Sequence, residues 1–297
     1  MVGRVVVEPL LGAHCSTAGG LHCALERAHA LRCRAVQIFT HNRAQWRMRA
    51  LTEGEATRFR ETDRTLGPFA LAAHSSYLIN AASPDRVLRA RSIDALLGEM
   101  DHCADLGIPL LVFHPGAHMG AGERAGISRT ARAMNRLRTA VRRKHQDAAP
   151  MLAVEITAGS GTSIGWRFEH LRALFDQLDE PQAARVCFDT AHAFAAGYNF
   201  CTPAAYERLW FAFDSVIGFG RLGIFHLNDS RTACGSRVDR HAHIGRGEIG
   251  LKPFGWILND PRFAHLPKVI ETPKEGGMDP KNLGMLRRAA ARWKRPR

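Results

Sequence analysis

Nine histidine, aspartate and glutamate residues stand at the ends of short apolar segments or close behind them. Six of these segments end directly in a potential metal ligand: His74, His114, Glu155, Asp189, His226 and Glu271. His192 follows Asp189 by three positions, and Asp239 and His241 lie between the last two segments. Neutral imidazoles combined with carboxylates suit Zn²⁺, and they also suit Mn²⁺ or Fe²⁺. The sequence therefore predicts a metal centre.

The size of this ligand set indicates more than one ion. Nine ligands exceed what a single tetrahedral ion can use, whereas bridging carboxylates would allow the same set to hold three ions. The four carboxylates do not neutralise three divalent cations, and the remaining positive charge suits a bound phosphate. Metals about 4 Å apart activate water and stabilise the leaving oxygen of a displaced phosphoester. The predicted chemistry is hydrolysis of a phosphoester.

The spacing within two pairs of potential ligands indicates the local conformation of the backbone. Asp239 and His241 are two residues apart, which places both side chains on one side of an extended segment. Asp189 and His192 are three apart, so the chain must turn after Asp189 if both are to reach the centre. We expect these two residues to face different ions.

The elements that must position these residues alternate along the chain. Apolar strand candidates lie at 4–13, 35–40, 69–74, 110–114, 152–157, 185–190, 222–228 and 267–272. Segments with helical periodicity lie between or after them, at 19–33, 84–107, 124–145, 166–178, 203–217, 250–259 and 281–293. Such alternation favours an α/β fold with a parallel sheet. Eight units match a (β/α)₈ TIM-like barrel with the metal site at the C-terminal ends of its strands. The alternative is a doubly wound open sheet, which would scatter the ligands along one edge.

Length and composition limit the number of domains and the class of protein. The chain has 297 residues, of which 45% are hydrophobic, enough for a large core. We expect one barrel domain over 1–285 and a basic C-terminal tail over 286–297. No apolar run approaches the ~20 residues needed to span a bilayer. The run Val5–Val7 is interrupted by Glu8-Pro9 too early for a signal peptide, so we expect a first strand and an intracellular, soluble, non-secreted protein.

Charge and cysteine content narrow the class further. The formal net charge is +13, which indicates a polyanionic partner such as nucleic acid, or else a solvated basic surface that reflects a bias towards arginine. The seven cysteines are an odd number and form no CxxC pair, which argues against a cysteine-rich zinc site or a redox motif. We expect buried free thiols in a reducing compartment.

Several sequence blocks resemble the endonuclease IV family, the zinc-dependent apurinic/apyrimidinic endonucleases of base-excision repair. They span residues 12 to 273 and therefore cover nearly the whole chain. The blocks that carry the resemblance are Gly12-Ala13-His14, His74-Ser75-Ser76-Tyr77-Leu78-Ile79-Asn80, Phe113-His114-Pro115-Gly116, Asp189-Thr190-Ala191-His192-Ala193, His226-Leu227-Asn228-Asp229, Val238-Asp239-Arg240-His241 and Ile270-Glu271-Thr272-Pro273. The Asp-Thr-x-His-Ala and Asp-Arg-His blocks are the most specific of these.

The resemblance implies a TIM-like barrel with a trinuclear zinc site. Position by position, His74 and His114 would bind one zinc, with Glu155 as the bridge to a second. Asp189, His226 and Glu271 would complete the second site, and His192, Asp239 and His241 would bind the third ion. Glu155 and Glu271 would be the catalytic carboxylates, Glu271 by helping to position the attacking water. The implied reaction cleaves the phosphodiester 5′ to an abasic sugar in duplex DNA and leaves a 3′-hydroxyl and a 5′-deoxyribose phosphate.

The resemblance also implies where DNA binds, although this chain departs from the family pattern at several positions. Loops of the family kink the duplex and flip the abasic nucleotide out, and we expect Asn42, Arg43, Trp46 and Tyr77 to contact DNA here. The family's Gln-Arg pair corresponds to Arg43-Ala44, so its inserted arginine is missing. Either Arg43 takes over as the wedge, which we expect, or the wedge is weaker here. Ser75, Ser160 and Arg246 also differ from the residues that are frequent in the family, but none of these differences affects the nine ligands. We expect a monomer that acts on abasic or 3′-blocked lesions.

Two other classes of protein remain open at this stage. A metal-dependent sugar isomerase of the xylose-isomerase type shares the barrel, but it would use mostly carboxylate ligands and two metals. A non-catalytic binder of damaged DNA would keep the barrel and lose ligands, whereas this chain has the full set. Metal analysis tests the first alternative, and nicking of an abasic duplex tests the second.

Overall fold

The computed structural model describes residues 8–296 of the chain, so the predicted strand residues Val5–Val7 lie outside the described part. Eight parallel strands form a closed barrel: β1 (Leu11–His14), β2 (Ala35–Ile38), β3 (Ala70–His74), β4 (Leu110–Phe113), β5 (Met151–Glu155), β6 (Ala184–Asp189), β7 (Leu222–His226) and β10 (Lys268–Ile270). The first strand pairs in parallel with both β2 and β10, which closes the ring. The predicted barrel is confirmed, and the open sheet is wrong.

Helices cover the outside of the barrel. They are α1 (Leu21–Ala30), α2 (Glu53–Leu66), α3 (Arg86–Leu106), α4 (Glu123–His145), α5 (Phe168–Phe175), α6 (Thr190–Ala196), α7 (Pro203–Val216), α8 (Leu251–Asn259) and α9 (Asp279–Arg292). Helix α2 is absent from the predicted helical segments because its apolar face is narrow, with only Ala56 and Phe59 buried. Its start is nevertheless encoded by a capping box between Thr52 and Glu55.

The apolar side chains of the strands form two layers, one inside the barrel and one between the strands and the helices, because successive residues of a strand point to opposite faces. The barrel interior holds mostly small or β-branched side chains: Ala35, Ala72, Leu110, Val112, Ala153, Cys187, Ile224 and Val269. The layer between strands and helices is richer in aromatic residues, including Phe188, Trp210, Phe213, Phe225 and Phe263. Small interior residues let the ring close, and the bulk of the hydrophobic core therefore lies outside it.

Close packing between β1 and β2 requires a glycine at position 12. A Cβ added there would lie 1.6 Å from the backbone oxygen of Ala35 on the neighbouring strand. Any side chain would push the two strands apart, so Gly12 is fixed by the approach of the backbones rather than by its own conformation.

The C-terminal segment is more ordered than its basic composition indicates. Helix α9 continues through the expected boundary at residue 285, and Leu286 and Ala289 on its inner face are buried. Arg287 donates to the backbone oxygens of Leu31 and Arg32 at 3.0 and 2.8 Å. Residues 286–292 are therefore part of the helical layer.

A small hairpin lies outside the barrel, formed by β8 (Asp229–Ser230) and β9 (His241–Ala242). It anchors the long loop after β7. The buried carboxylate of Asp229 accepts hydrogen bonds from the backbone N–H groups of Ser230, Gly245, Gly247 and Ile249, all at 2.9–3.0 Å. Burial raises the pKa of Asp229, and these four donors oppose that shift. The loop is thus held close to the carboxyl ends of the strands.

All seven cysteines are free, and Cys15, Cys33, Cys103 and Cys187 are buried. Within residues 8–296, no helix has the length and hydrophobicity to cross a membrane.

Candidate metal centre

The predicted ligands continue the inward-facing register of the barrel strands. His74, Glu155, Asp189 and His226 are the last residues of β3, β5, β6 and β7, each two positions beyond an interior residue. His114 and Glu271 directly follow β4 and β10 and keep the same register. Alternation along a strand therefore aims all six side chains at the barrel axis.

Glu155 lies at the centre of the cluster and is fully buried. Its Oε2 atom is 2.9 Å from His74 Nε2 and 3.2 Å from His114 Nε2. Its Oε1 atom is 3.0 Å from His226 Nδ1. The two oxygens of one carboxylate thus face two separate groups of nitrogen atoms, which is the arrangement expected of a bridging ligand.

The second group of potential ligands surrounds His226. Its Nδ1 atom lies 3.0 Å from Glu271 Oε2 and 3.8 Å from Asp189 Oδ2. One potential ligand atom from each of Glu155, Asp189, His226 and Glu271 lies within 4.8 Å of all the others. This spacing fits a common ion.

The third group combines the turn after β6 with the hairpin loop. His192 Nε2 is 3.2 Å from Asp239 Oδ2, and His241 Nε2 is 3.4 Å from Asp239 Oδ1. The expected turn occurs because Asp189 caps α6, accepting from the backbone N–H of His192 at 2.9 Å. Asp189 Oδ2 is also 3.7 Å from His241 Nε2, so Asp189 lies between the second and third groups.

Several of the imidazoles are oriented by a contact between one ring nitrogen and a backbone oxygen. His74 Nδ1 lies 2.8 Å from the backbone oxygen of Ser75, and His192 Nδ1 lies 3.0 Å from that of Ile156. His241 Nδ1 is 3.3 Å from the backbone oxygen of Glu271. Donation from one ring nitrogen fixes the tautomer and leaves the other free as a ligand, as in most metal-binding histidines.

Two of the remaining ring nitrogens lack hydrogen-bond partners. His192 Nε2 and His241 Nε2 are buried, and although they lie 3.2 and 3.4 Å from the Asp239 oxygens, neither contact has the geometry of a hydrogen bond. Buried polar atoms nearly always have a partner. A cation between these nitrogens and the Asp239 carboxylate would satisfy them, so the residues present fit a metal ion.

The electrostatics of the cluster favour charged carboxylates. Burial opposes ionisation of Glu155, but the imidazoles of His226 and His114 outweigh it and hold the pKa of this carboxyl well below its usual range. Burial likewise opposes ionisation of Glu271, and His226 and His14 reverse the effect, so its pKa is also lowered. Although burial opposes protonation, neighbouring anionic groups raise the pKa of His192 and His226, so these imidazoles would release their protons when a metal binds, whereas the carboxylates are already anionic.

Two buried residues that were not among the predicted site residues support the ligands. Gln37 on β2 donates from Nε2 to Glu271 Oε1 at 2.6 Å, and its Oε1 accepts from His226 Nε2 at 2.9 Å. His14, the last residue of β1, has Nδ1 3.4 Å from Glu271 Oε1. Their signal was available, because both occupy interior-facing positions near the ends of strands.

Asn228 is a third supporting residue. Its side chain donates to Asp189 Oδ2 at 2.6 Å, and its Oδ1 accepts from the backbone N–H of Glu271 at 2.8 Å. It therefore joins the carboxylates after β6 and β10. Nothing in its local spacing distinguishes it from an ordinary loop asparagine.

Three of the four residues expected to contact DNA are exposed, and the fourth, Trp46, is partly buried. Arg43 and Tyr77 meet at the mouth of the centre, with Arg43 Nη1 donating to the Tyr77 hydroxyl at 2.6 Å and the guanidinium 4.9 Å from the ring centroid. Asn42 accepts from the backbone N–H of Ala44 and shapes the loop. Trp46 packs against the core beneath the guanidinium of Arg91, which makes it less accessible than the other three.

A cavity of about 490 Å³ opens over the cluster. Its walls combine potential ligands with loop residues and include Arg43, Tyr77, His114, Asp239, Glu271 and Lys274. The potential ligands are thus reachable from outside, and both signs of charge line the entrance.

Comparison with known proteins identifies the family. Residues 25–295 match the family model of the xylose isomerase-like TIM barrel. A probable endonuclease 4 from Geobacter sulfurreducens is 48% identical over 95% of both chains. The crystal structure of endonuclease IV from Thermus thermophilus superposes with a TM-score of 0.83 at 34% identity, covering 95% of this chain and 99% of that one.

A D-tagatose 3-epimerase-like protein also superposes, with a TM-score of 0.71 over 95% of this chain and 97% of that one. It is only 16% identical, so this likeness shows the shared barrel alone. By contrast, the identity to the probable endonuclease 4 is 48% and extends over nearly the full length of both chains. The chain therefore belongs to the endonuclease IV family of enzymes.

Proposed function

We propose that this protein is a DNA-repair endonuclease that hydrolyses the phosphodiester 5′ to an abasic site in duplex DNA. The products would be a 3′-hydroxyl and a 5′-deoxyribose phosphate. The observation that carries the proposal is the convergence of nine imidazole and carboxylate side chains below an open cavity. Membership of the endonuclease IV family supports the same reaction.

Three zinc ions would occupy the centre, with Mn²⁺ or Fe²⁺ as an alternative at one position. His74, His114 and Glu155 would hold the first, while Glu155, Asp189, His226 and Glu271 would hold the second. His192, Asp239 and His241 would hold the third. When bound, the ions activate water and stabilise charge on the phosphate and the leaving oxygen.

The protein's own contribution is orientation. Glu271 is fixed through Oε1 by Gln37, which leaves Oε2 directed at His226 and the rest of the cluster. Glu155 is held between imidazoles on both of its oxygens. Because neither carboxylate needs to reorganise, both can hold the reacting groups in place as charge develops on the phosphate.

DNA would approach through the open side of the cavity. The net charge of +13 supports binding of a polyanion, and Arg43 with Tyr77 stands at the rim where a displaced base or sugar would pass. A guanidinium can fill the gap left by a missing base and can also pair with a phosphate. We propose that one monomer acts on one lesion, either an abasic site or a blocked 3′ end.

An incision assay on defined oligonucleotides tests the proposal. A duplex with one abasic site and a 5′ label on the damaged strand should be cut once, immediately 5′ to the lesion. The labelled fragment should carry a 3′-hydroxyl that a DNA polymerase extends without further processing. The matched intact duplex should remain uncut, and exhaustive chelation should abolish incision. Absence of metal-dependent incision by the zinc-loaded protein would refute the proposal.

A further inference from the structure

A buried carboxyl group outside the metal centre joins the two loops expected to contact DNA. Glu99 lies on α3 and is 1% exposed. Its Oε1 accepts from the backbone N–H of Ser76 at 2.9 Å and lies 3.0 Å from His41 Nε2. Ser76 precedes Tyr77 in the loop after β3, and His41 precedes Asn42 and Arg43 in the loop after β2.

The contacts of Glu99 continue into a chain that ends at the cavity mouth. The Ser76 hydroxyl donates to the backbone oxygen of Arg43 at 2.5 Å, so the two loops are joined again above Glu99. Arg43 in turn donates to the Tyr77 hydroxyl at 2.6 Å. His41 Nδ1 lies 3.0 Å from the backbone oxygen of Asn42. Glu99 is therefore at the base of the arrangement that presents Arg43 and Tyr77.

Stability of the barrel alone does not account for a carboxyl group at this position. Among the described residues, His41 is the only side chain within ion-pair distance of Glu99, with 3.0 Å between His41 Nε2 and Glu99 Oε1. The geometry of this contact is not that of a hydrogen bond, and both His41 Nε2 and Glu99 Oε2 are buried without a hydrogen-bond partner. Burial raises the pKa of Glu99 to about 8, which reflects the cost of placing the group there. An apolar side chain would avoid that cost. What the carboxyl provides is the link between the two loops.

We propose that Glu99 is a positioning residue that holds the loops after β2 and β3 in the arrangement needed to recognise an abasic site. The inference rests on the proposed function. Loops that are ordered before binding lose less conformational entropy when they engage a ligand. Loss of the link should therefore weaken productive binding of damaged DNA, which uses the paired Arg43 and Tyr77. Binding of intact duplex, which relies on dispersed phosphate contacts, should change little.

The test compares Glu99→Leu with a control on the same helix. Met100→Ala, at the adjacent fully buried position, removes packing against a different region near Met134 and Leu152. For each zinc-loaded variant, KM and kcat are measured on the abasic duplex and Kd on the matched intact duplex. Glu99→Leu should raise KM roughly tenfold, equivalent to about 1.4 kcal/mol, with kcat and the intact-duplex Kd within about twofold. Met100→Ala should lower the melting temperature and leave KM unchanged.

A double-mutant cycle keeps the proposal testable if Glu99→Leu does not fold. Glu99→Gln keeps an amide oxygen that can accept from the Ser76 N–H, but it removes both the charge and the acidic proton with which a carboxyl group can hold His41 Nε2. His41→Leu removes that link from the other side. Each variant should raise KM about threefold, and the double variant should also show about threefold, because both remove one interaction. A roughly ninefold effect would mean independent roles and would overturn the proposal.

Other outcomes separate this inference from the proposed function. If wild-type protein does not incise the abasic duplex, the proposed function fails. If wild type incises but Glu99→Leu behaves like Met100→Ala, only the positioning role of Glu99 fails. Equal weakening on damaged and intact duplex, or a loss confined to kcat, would also overturn it.

Discussion

Gln37 accepts a hydrogen bond from His226, with 2.9 Å between Gln37 Oε1 and His226 Nε2. The contact leaves His226 Nδ1 directed towards Glu155 and Glu271. The same amide donates to Glu271 at 2.6 Å, so one uncharged residue orients two predicted ligands of the second ion. Gln37 is fully buried and reaches the centre from a strand that carries no predicted ligand.

Gln37→Leu should therefore lower metal affinity roughly 10- to 100-fold, the usual effect of removing a partner that orients a ligand. Titration with a zinc-buffering chelator, followed by metal analysis, measures this directly. Val36→Ala is the matched control, since Val36 is equally buried on the same strand but packs outside the barrel interior. A Gln37→Leu variant that retained its metals as tightly as Val36→Ala would contradict the role assigned to Gln37.

Metal content is the second prediction. Purified protein should contain about three zinc equivalents per chain and retain them through gel filtration, because the ligand groups are largely buried and share bridging carboxylates. Elemental analysis checks the count. Manganese or iron at one position would change only the identity of that ion. A value of one metal or none per chain would exclude a trinuclear centre.

Glu271→Gln should reduce the incision rate by more than about a hundredfold, since the amide removes a charged ligand and an orienting group from the reacting centre. Affinity for abasic duplex should stay within about threefold, because phosphate contacts supply most of the binding. Single-turnover incision and an equilibrium binding assay separate the two effects. Glu275→Gln makes the same charge change at an exposed position of the cavity rim and should cut normally. Incision by Glu271→Gln within about threefold of wild type would show that the assignment is wrong.

Arg43→Ala tests the wedge. If the guanidinium fills the gap at a missing base, discrimination between abasic and intact duplex should fall roughly tenfold, about 1.4 kcal/mol. A plain phosphate contact would instead weaken both duplexes alike and lower the salt slope by about one. Titrations of both duplexes at two salt concentrations decide between these outcomes. Arg47→Ala, an exposed arginine of the same loop, serves as the control for loss of charge. Equal losses on the two duplexes would refute the wedge.

The last prediction concerns pH and stability. Lys268 is fully buried, with its ammonium donating to the backbone oxygens of Phe263 and Leu266, and burial lowers its pKa from 10.5 to about 8. The unfolded chain therefore binds more protons between these values, and the lysine's contribution to the free energy of unfolding rises as pH increases from about 8 to 10.5. The rise has an upper bound of about 3 kcal/mol.

Denaturant unfolding of wild type and Lys268→Met over this pH range measures the effect as the difference between the two proteins. The free energy of unfolding of wild type should increase relative to that of Lys268→Met as the pH rises from about 8 to 10.5. Lys252→Met, at an exposed position on α8, should give a difference that does not vary in the same window. A pH-independent difference for Lys268→Met would show that Lys268 titrates alike in the folded and unfolded states.

Much of the architecture was determined by local sequence patterns. Repeated apolar segments separated by helical periodicity predicted the (β/α)₈ barrel, because each pattern depends only on neighbouring residues and on the alternation of side chains. The same alternation aims His74, Glu155, Asp189 and His226 inward, since each continues the register of an apolar strand. Helix α2 was not predicted because only two of its residues, Ala56 and Phe59, are buried. The expected domain boundary at 285 falls inside α9, because the many charged residues of this helix gave the segment the composition of an exposed tail although its inner face is buried.

What the sequence by itself determined is the fold class and the identity of the side chains that could bind metal, together with the strand ends that carry them. Only the tertiary structure decided which of these side chains meet and what orients them. Glu155 faces two groups because β3, β4 and β7 converge on its two oxygens, and Gln37 contacts His226 across 189 positions of sequence. Likewise, Glu99 joins two loops through a hydrogen bond with Ser76, 23 residues away in sequence, and a 3.0 Å contact with His41. Such contacts depend on closure of the barrel and on the packing of loops above it, and no local pattern encodes them.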